Sequence, residues 1–321
     1  MEAENWKDDV LKFIGGYVEH DTDLNSLRLL LLKNKPSCLY RYRSGSNFDL
    51  DALKKGYEWL SYPDDYNDPF DARMFYDTEE TILPALNNHF NKTLDPQSKA
   101  MIEVLTGNKE LDIYGGRPDK QVIEKARKLH GLRFSSMEKL CEDFAAHCKD
   151  RTDNLESHMD KKIRNMSLIC SFTTHHSNHL MWAHYSNSYK GFCLEYNFSK
   201  FLLNDGLILP VSYYKSPLDV TDLLIRSGLK EKGAMHRAAI GSALVKGTAW
   251  EYEDEWRYIS YSEKTTRELN GLQLNRVLLG CNASDELTNK VVEICKNRGI
   301  EVVTKKRSSI SFDLVDGERL A

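Results

Sequence analysis

Met166-Ser-Leu-Ile-Cys-Ser-Phe-Thr173, Gly191-Phe-Cys-Leu-Glu-Tyr196 and Leu207-Ile-Leu-Pro-Val-Ser-Tyr-Tyr214 succeed one another along the middle of the chain. Each is a short apolar and aromatic run bounded by turn chemistry, which is the mark of a β-strand. Helical patterns lie between and beyond them without regular strand–helix alternation, so a doubly wound parallel sheet does not fit. The pattern predicts an α+β fold, a mixed and mainly antiparallel sheet decorated by helices.

Toward the N-terminus, Ser37-Cys-Leu-Tyr-Arg-Tyr-Arg43 and Tyr57-Glu-Trp-Leu-Ser-Tyr62 read as strands, separated by a helix of about 48 to 55 that stops at Gly56. Before them, residues 4 to 33 read as two short helices broken near Gly15-Gly16 and Asp21. The second, around Leu24-Asn-Ser-Leu-Arg-Leu-Leu-Leu-Leu32, carries a dense apolar face. Toward the C-terminus come two helices, roughly 217–228 and 230–245, and a strand around Trp250-Glu-Tyr-Glu-Asp-Glu-Trp-Arg-Tyr-Ile-Ser260. A strand at Arg276-Val-Leu-Leu-Gly280, a helix of about 284 to 298 and strand segments around 300–304 and 309–315 complete the chain. From about 77 to 164 strand signals vanish and helical patterns take over, which predicts a helical insertion. The expected organisation is N-terminal helices over 1–36 and one α+β domain over 37–321 that carries the insertion.

Of the 321 residues, 41% are hydrophobic and 29% charged, enough apolar material for a real core. The net charge of −4 gives no global basic field, so a nucleic-acid partner needs a local patch. The seven cysteines are odd in number and form no C-x-x-C pair, and several sit in apolar runs. They read as small core hydrophobes in a reducing compartment, not as a disulfide frame or a zinc cluster. The acidic, amphipathic N-terminus lacks the apolar core of a secretory signal, and no run approaches the roughly 20 apolar residues of a membrane span. A cytoplasmic address without a membrane partner is expected.

Four segments bear chemistry. In Glu251-Tyr-Glu-Asp-Glu-Trp-Arg-Tyr258, strand alternation points Glu253, Glu255 and Arg257 one way and Trp256 and Tyr258 toward a core. Two carboxylates about 7 Å apart on one face repel, which raises a pKa or calls for a cation such as Arg257. The plain alternative is a solvated strand face with a surface ion pair. In Leu39-Tyr-Arg-Tyr-Arg-Ser44, Arg41 and Arg43 share a face opposite Tyr40 and Tyr42, an arrangement that either asks for a carboxylate or a phosphate or is a plain exposed strand face. Ser171-Phe-Thr-Thr174 ends an apolar strand with hydroxyls that either hold a ligand or cap the next turn. Tyr66-Asn-Asp-Pro-Phe-Asp71 pins Asp68 before a proline, so Asn67 and Asp68 either line a ligand site or hold a structural turn.

After Ser171-Phe-Thr, a helix is expected to carry His175, His176, His179 and His184 beside Met181-Trp-Ala-His-Tyr185. His175 and His179 fall at i,i+4, a spacing able to grip a metal, but the glutamate of an H-E-x-x-H helix is missing. We assign no metal ligands. His184 and Tyr185, just before the Lys190-Gly191 turn, either orient a ring or donate a hydrogen bond, or the histidine is a satisfied core residue. The sequence has no P-loop, no G-x-G-x-x-G and no G-x-S-x-G, which removes the common ATPase, dehydrogenase and hydrolase readings.

Two resemblances follow from these motifs. Leu39-Tyr-Arg-Tyr-Arg, Asn67-Asp-Pro-Phe, Ser171-Phe-Thr, Met181-Trp-Ala-His-Tyr, Lys190-Gly-Phe-Cys-Leu-Glu and Trp250-Glu-Tyr-Glu-Asp-Glu-Trp-Arg together resemble a bacterial family known only as a domain of unknown function, over about 37 to 280. An early strand arginine, a Ser-x-Thr strand and a late Glu-x-Glu, in that order, resemble the arginine-type ADP-ribosyltransferases. That second resemblance implies NAD as a substrate and an acceptor that is a protein, a nucleic acid or a small molecule. By it, Arg43 or Arg41 holds the NAD phosphate or nicotinamide ribose, and Ser171 and Thr173 brace the nicotinamide pocket. Glu255 stabilises an oxocarbenium-like transition state and Glu253 orients the acceptor. A toxin or defence role is implied by this resemblance alone. Two readings of other classes stand beside it. One is a metal-dependent hydrolase or nuclease using Asp68, Glu253, Glu255 and the histidines. The other is a non-enzymatic module that senses a nucleotide-like small molecule or binds a partner.

Overall fold

The computed structural model describes residues 6–15, 24–77, 80–81, 154, 157–199, 207–261, 264–269 and 271–321. Most of the predicted helical insertion, with Cys141 and Cys148, lies outside the described residues. The chain divides into two compact units, one of residues 1–73, 164–218 and 236–321, the other of 74–163 and 219–235.

The strands are β1 (Cys38–Arg43), β2 (Glu58–Trp59), β3 (Met74–Phe75), β4 (Leu168–Thr173), β5 (Phe192–Asn197), β6 (Leu207–Pro210), β7 (Ser212–Tyr214), β8 (Leu218–Asp219), β9 (Val245–Gly247), β10 (Glu255–Ser260), β11 (Thr266–Arg267), β12 (Gln273–Leu279), β13 (Glu301–Arg307) and β14 (Leu314–Arg319). The helices are α1 (Trp6–Gly15), α2 (Leu24–Asn34), α3 (Asn47–Lys55), α4 (His179–Tyr185), α5 (Thr221–Gly228), α6 (Ala234–Ala243) and α7 (Asp285–Arg298).

In the first unit, eight strands form one sheet in the order β14-β13-β12-β5-β1-β4-β10-β6. Its neighbours are antiparallel except β12 and β13, so the fold is α+β with a mixed, mainly antiparallel sheet. The β12–α7–β13 crossover explains the one parallel pair, because parallel neighbours need a long connection. Ser284 caps α7 by accepting from Leu287 N, and Gly299 ends it at φ 66°. In α3, Ser46 and Asp49 form a reciprocal capping box, and Gly56 at φ 79° closes the C-terminus. The core holds Leu39, Phe172, Leu194, Trp256 and Tyr258 on one face of the sheet, with α7 contributing Val291 and Cys295. A second cluster on Tyr40, Tyr42 and Cys193 packs against Met181 and Trp182 of α4.

In the second unit, Thr221 at the start of α5 accepts through Oγ1 from Asp77 N at 2.8 Å. Leu223 and Leu224 of α5 are buried.

Several predicted strands are shorter than their patterns suggest. Tyr57–Tyr62 yields only β2, which pairs with β11. Leu207–Tyr214 breaks at Val211 into β6, in the main sheet, and β7, which pairs in parallel with β9. Pro210, which has no N–H to extend the ladder, stands at that break. Residues 309–313 form a turn, so the last strand begins at Leu314. Of the described cysteines, Cys170, Cys193 and Cys295 are buried free thiols, and Cys38 and Cys281 are half-buried ones. Among the described residues no helix is long and apolar enough to cross a membrane.

Candidate functional site

The site starts from an imperfection in the sheet. β1 and β4 are neighbours, yet only Tyr40 and Thr173 are in register. At its other end β4 pairs away from β1, where Ile169 and Ser61 exchange backbone hydrogen bonds of 3.0 and 2.9 Å. Where the strands part, a cavity of about 230 Å³ opens. Arg41 and Arg43 from β1, Ser171 and Thr173 from β4, and Glu255 from the head of β10 all line it. Glu253, Tyr185 of α4, Tyr66, Asn67, Asp71 and Lys246 of β9 are also on its wall. Gly191 allows the end of β1 to approach closely, since a Cβ there would lie 2.0 Å from the Arg43 carbonyl oxygen.

The acidic pair reaches the cavity by a route unlike the expected one. Glu253 is not on the strand. It ends a 3-10 turn, Thr248–Glu253, and Asp254 adopts a left-handed conformation at φ 39° before β10 begins at Glu255. Asp254 is held there by Lys7 at 2.7 Å and by the Thr174 hydroxyl. The Thr173 hydroxyl donates to the Glu253 carbonyl and accepts from His175 N at 3.1 Å. Thr173 is thus committed to bracing the glutamate turn.

Glu253, Glu255 and Asp71 are buried around two cations, Lys246 and the fully buried Arg257. Arg257 donates to Glu255 through Nε at 2.8 Å and Nη2 at 3.0 Å, to Asp71 at 2.7 Å, and to the Ala243 carbonyl at 2.7 Å. Lys246 Nζ donates to Glu253 at 2.6 Å and Glu255 at 3.1 Å, with Asp71 at 3.5 Å. It also stands 4.9 Å from the Trp250 ring centroid. The second oxygen of Glu253 accepts from the Tyr185 hydroxyl at 2.6 Å.

These contacts drive the two glutamates apart. Burial alone would raise the Glu255 carboxyl, but Arg257 and then Lys246 outweigh it and hold the group at about 2. Glu253 is raised, first by burial and then by the charge on Glu255, against the opposing pull of Lys246. Lys246 would be lowered by burial, but Glu255 and Asp71 lift it above its ordinary value, so the lysine stays charged. A carboxylate held ionised beside one with raised proton affinity is an arrangement suited to acid–base division of labour.

The arginines differ from each other. Arg43 is ion-paired with Glu58 and stands 3.7 Å from Asp49. Arg41 donates to the Trp59 carbonyl at 2.8 Å and lies 3.4 Å from Glu58, but its buried Nη1 has no hydrogen-bond partner among the described residues. Asp71 Oδ1, also buried, is likewise without a partner there. Burial pulls Arg41 down to about 10, which leaves it protonated at neutral pH. A larger hollow of about 580 Å³ is lined by Arg43 and Glu58, but by neither glutamate of the pair, nor Ser171, nor Lys246.

Of the expected site residues, Arg41, Arg43, Asn67, Ser171, Thr173, Tyr185, Glu253 and Glu255 line one cavity. Arg257 stands behind them as a support. Asp68 does not line the cavity, and its carboxylate accepts from Phe70 N at 2.9 Å in a local turn. His184 is exposed and packs against Tyr185 on the outside. The helix begins only at His179, capped by Asn178, so His175 lies in the preceding turn and the helical His175/His179 pairing does not form. Among the described residues no group of three or more His, Cys, Asp or Glu is placed to hold a metal ion. Sequence reasoning missed Asp71, Lys246 and Tyr66. Lys246 had a visible signal, a lone charge after the apolar run Ala243-Leu-Val.

A family model described as a protein of unknown function (DUF2971) matches residues 181–258, about a quarter of the chain. Those residues run from α4 to β10 and carry Tyr185, Lys246, Glu253, Glu255 and Arg257. The β1 arginines and the Ser171-Phe-Thr strand fall outside them. No curated protein and no solved structure matches the chain. Over residues 181–258 the chain is therefore similar to a family whose description names no reaction.

Proposed function

We propose that this chain is an ADP-ribosyltransferase-like enzyme that takes NAD as substrate. The observation that carries the reading is adjacency. The arginine strand β1, the hydroxyl strand β4 and the glutamate strand β10 lie side by side in one sheet and line one cavity. At about 230 Å³ the cavity is below the size of a typical whole-ligand pocket, so it suits a ring and its sugar rather than an entire dinucleotide.

In this reading the nicotinamide riboside end enters the parting between β1 and β4. Arg41, whose Nη1 is uncommitted, meets a phosphate or ribose oxygen. Arg43 is already spent on Glu58 and Asp49 and is not assigned to the ligand. As the bond between nicotinamide and the ribose C1′ lengthens, positive charge grows on the sugar. Glu255, fixed as an anion by Arg257, stabilises that charge without reorganising. Glu253 is placed to take the acceptor's proton. The two glutamates, Arg41 and Ser171 are the proposed working groups, and the lysine and Arg257 position them.

The test is direct. The full chain is incubated with NAD, and released nicotinamide is measured for wild type and Glu255→Gln, with unfolding curves run in parallel. The expected result is nicotinamide release that falls by about 100-fold or more in a folded Glu255→Gln. Full turnover in that variant, or no release by the wild type, refutes the proposal.

A further inference from the structure

The carboxylate that would handle the acceptor is unusually well occupied. One oxygen of Glu253 accepts from Tyr185 and the other from Lys246, both at 2.6 Å. Lys246 Nζ also lies within 3.1 Å of Glu255 and 3.5 Å of Asp71. The protein's own ammonium thus fills the point among the three carboxylates where a cationic acceptor would have to dock. A guanidinium needs two free, coplanar carboxylate oxygens for its fork. Each Glu253 oxygen already accepts one hydrogen bond, so no unoccupied pair of oxygens faces a fork, and Glu255 spends both of its oxygens on Arg257. A second cation at hydrogen-bonding range would also meet the charge of Lys246 in a poorly hydrated setting.

From this geometry, and resting on the transferase reading above, we infer that the acceptor is a neutral oxygen nucleophile, water or a hydroxyl, and not a guanidinium or ammonium group. A neutral O–H asks only for one further lone pair on Glu253, which each carboxylate oxygen retains after a single hydrogen bond. In the step, the acceptor oxygen bonds to the ribose C1′ and the C1′–N bond to nicotinamide breaks. Its electron pair leaves with the nicotinamide nitrogen, and the acceptor proton passes to Glu253. The raised proton affinity of Glu253 suits it to receive that proton. The arginine-type resemblance extends to the order of the motifs, while the lysine changes what Glu253 can hold.

The inference is tested with the full chain and NAD in three parallel incubations: buffer alone, buffer with methanol as a hydroxyl probe, and buffer with agmatine as a guanidine probe. Products are read by chromatography and mass spectrometry. Free ADP-ribose in buffer and its O-methyl derivative in methanol are expected, with any agmatine adduct below about a hundredth of the methanol product. Free ADP-ribose without a methyl product narrows the acceptor to water, while a dominant methyl product points to hydroxyl groups at large. An agmatine adduct comparable to the methyl product overturns the inference and leaves the NAD reading standing. No nicotinamide release in any incubation overturns both. In a folded Lys246→Gln the agmatine adduct should appear, and its continued absence overturns the role given to Lys246.

Discussion

Replacing Glu255 by Gln should remove a specific part of the protein's acid lability. In the folded chain Glu255 titrates near 2 instead of 4.5, because Arg257 and Lys246 overcome the cost of its burial. A carboxylate whose folded value is depressed contributes stability above its unfolded value, and that contribution is lost as pH falls toward the folded one. With about 1.36 kcal/mol per pH unit, the whole linkage between 4.5 and about 2 is on the order of 3 kcal/mol. Roughly 2 kcal/mol of it disappears between pH 7 and pH 3, and the remainder only below that. Because the group is almost entirely shielded from solvent, screening by salt should change this little. Urea unfolding of wild type and Glu255→Gln at pH 7 and pH 3 reads the effect net of the change in Glu253, whose raised pKa rests partly on the Glu255 charge, while carboxylates outside the cluster titrate alike in both proteins. Wild type should lose roughly 2 kcal/mol more than the variant across that interval. Equal losses would mean that Arg257 does not hold Glu255 ionised, and the proposed anionic stabiliser would lose its physical basis.

Glu253→Gln should act with the opposite sign. Its folded value is raised, so ionisation costs stability at neutral pH, and the variant should gain stability there relative to wild type, with the gain vanishing below about pH 4; unfolding curves at both pH values check this. Tyr185→Phe removes the 2.6 Å bond to Glu253, should cost about 1 kcal/mol, and should push Glu253 further up, moving the acidic limb of nicotinamide release to higher pH. Gly191→Ala places a Cβ 2.0 Å from the Arg43 carbonyl, where backbone cannot yield, so a loss of about 1–3 kcal/mol is expected in denaturant unfolding.

The fold was legible where local rules act alone. The caps of α3 and α7 and the strands β1, β4 and β5 carry their signals within a few residues. What the sequence hid is set by longer range. Glu253 looks like a strand residue because alternation from Glu255 puts it on the correct side. The left-handed turn at Asp254 depends on Lys7, 247 positions away, and on Thr174. The histidine run looks helical, but Asn178 caps the helix after His175 and His176 have passed. Asp71 resembled one more turn residue beside Asp68. Only the chain's return through β10 shows that Asp71, and not Asp68, meets Arg257.

The buried charge cluster is the feature that stability alone does not explain. Taking Asp71, Glu253, Glu255, Lys246 and Arg257 out of water costs several kcal/mol per ion before pairing repays it, and well-packed apolar residues of similar volume commonly do as well or better. The cluster is moreover unbalanced, with three carboxylates against two cations, and it leaves Asp71 Oδ1 without a hydrogen-bond partner among the described residues. A purely structural network would be expected to close that gap, since an unsatisfied buried acceptor costs about 1–3 kcal/mol. The imbalance falls on Glu253, the one carboxylate of the pair raised toward protonation, and Glu253 and Asp71 both stand on the cavity wall where β1 and β4 part. An unpartnered acceptor and a raised carboxyl at the wall of a cavity, and not in the middle of the core, are features that the proposed proton transfer would use.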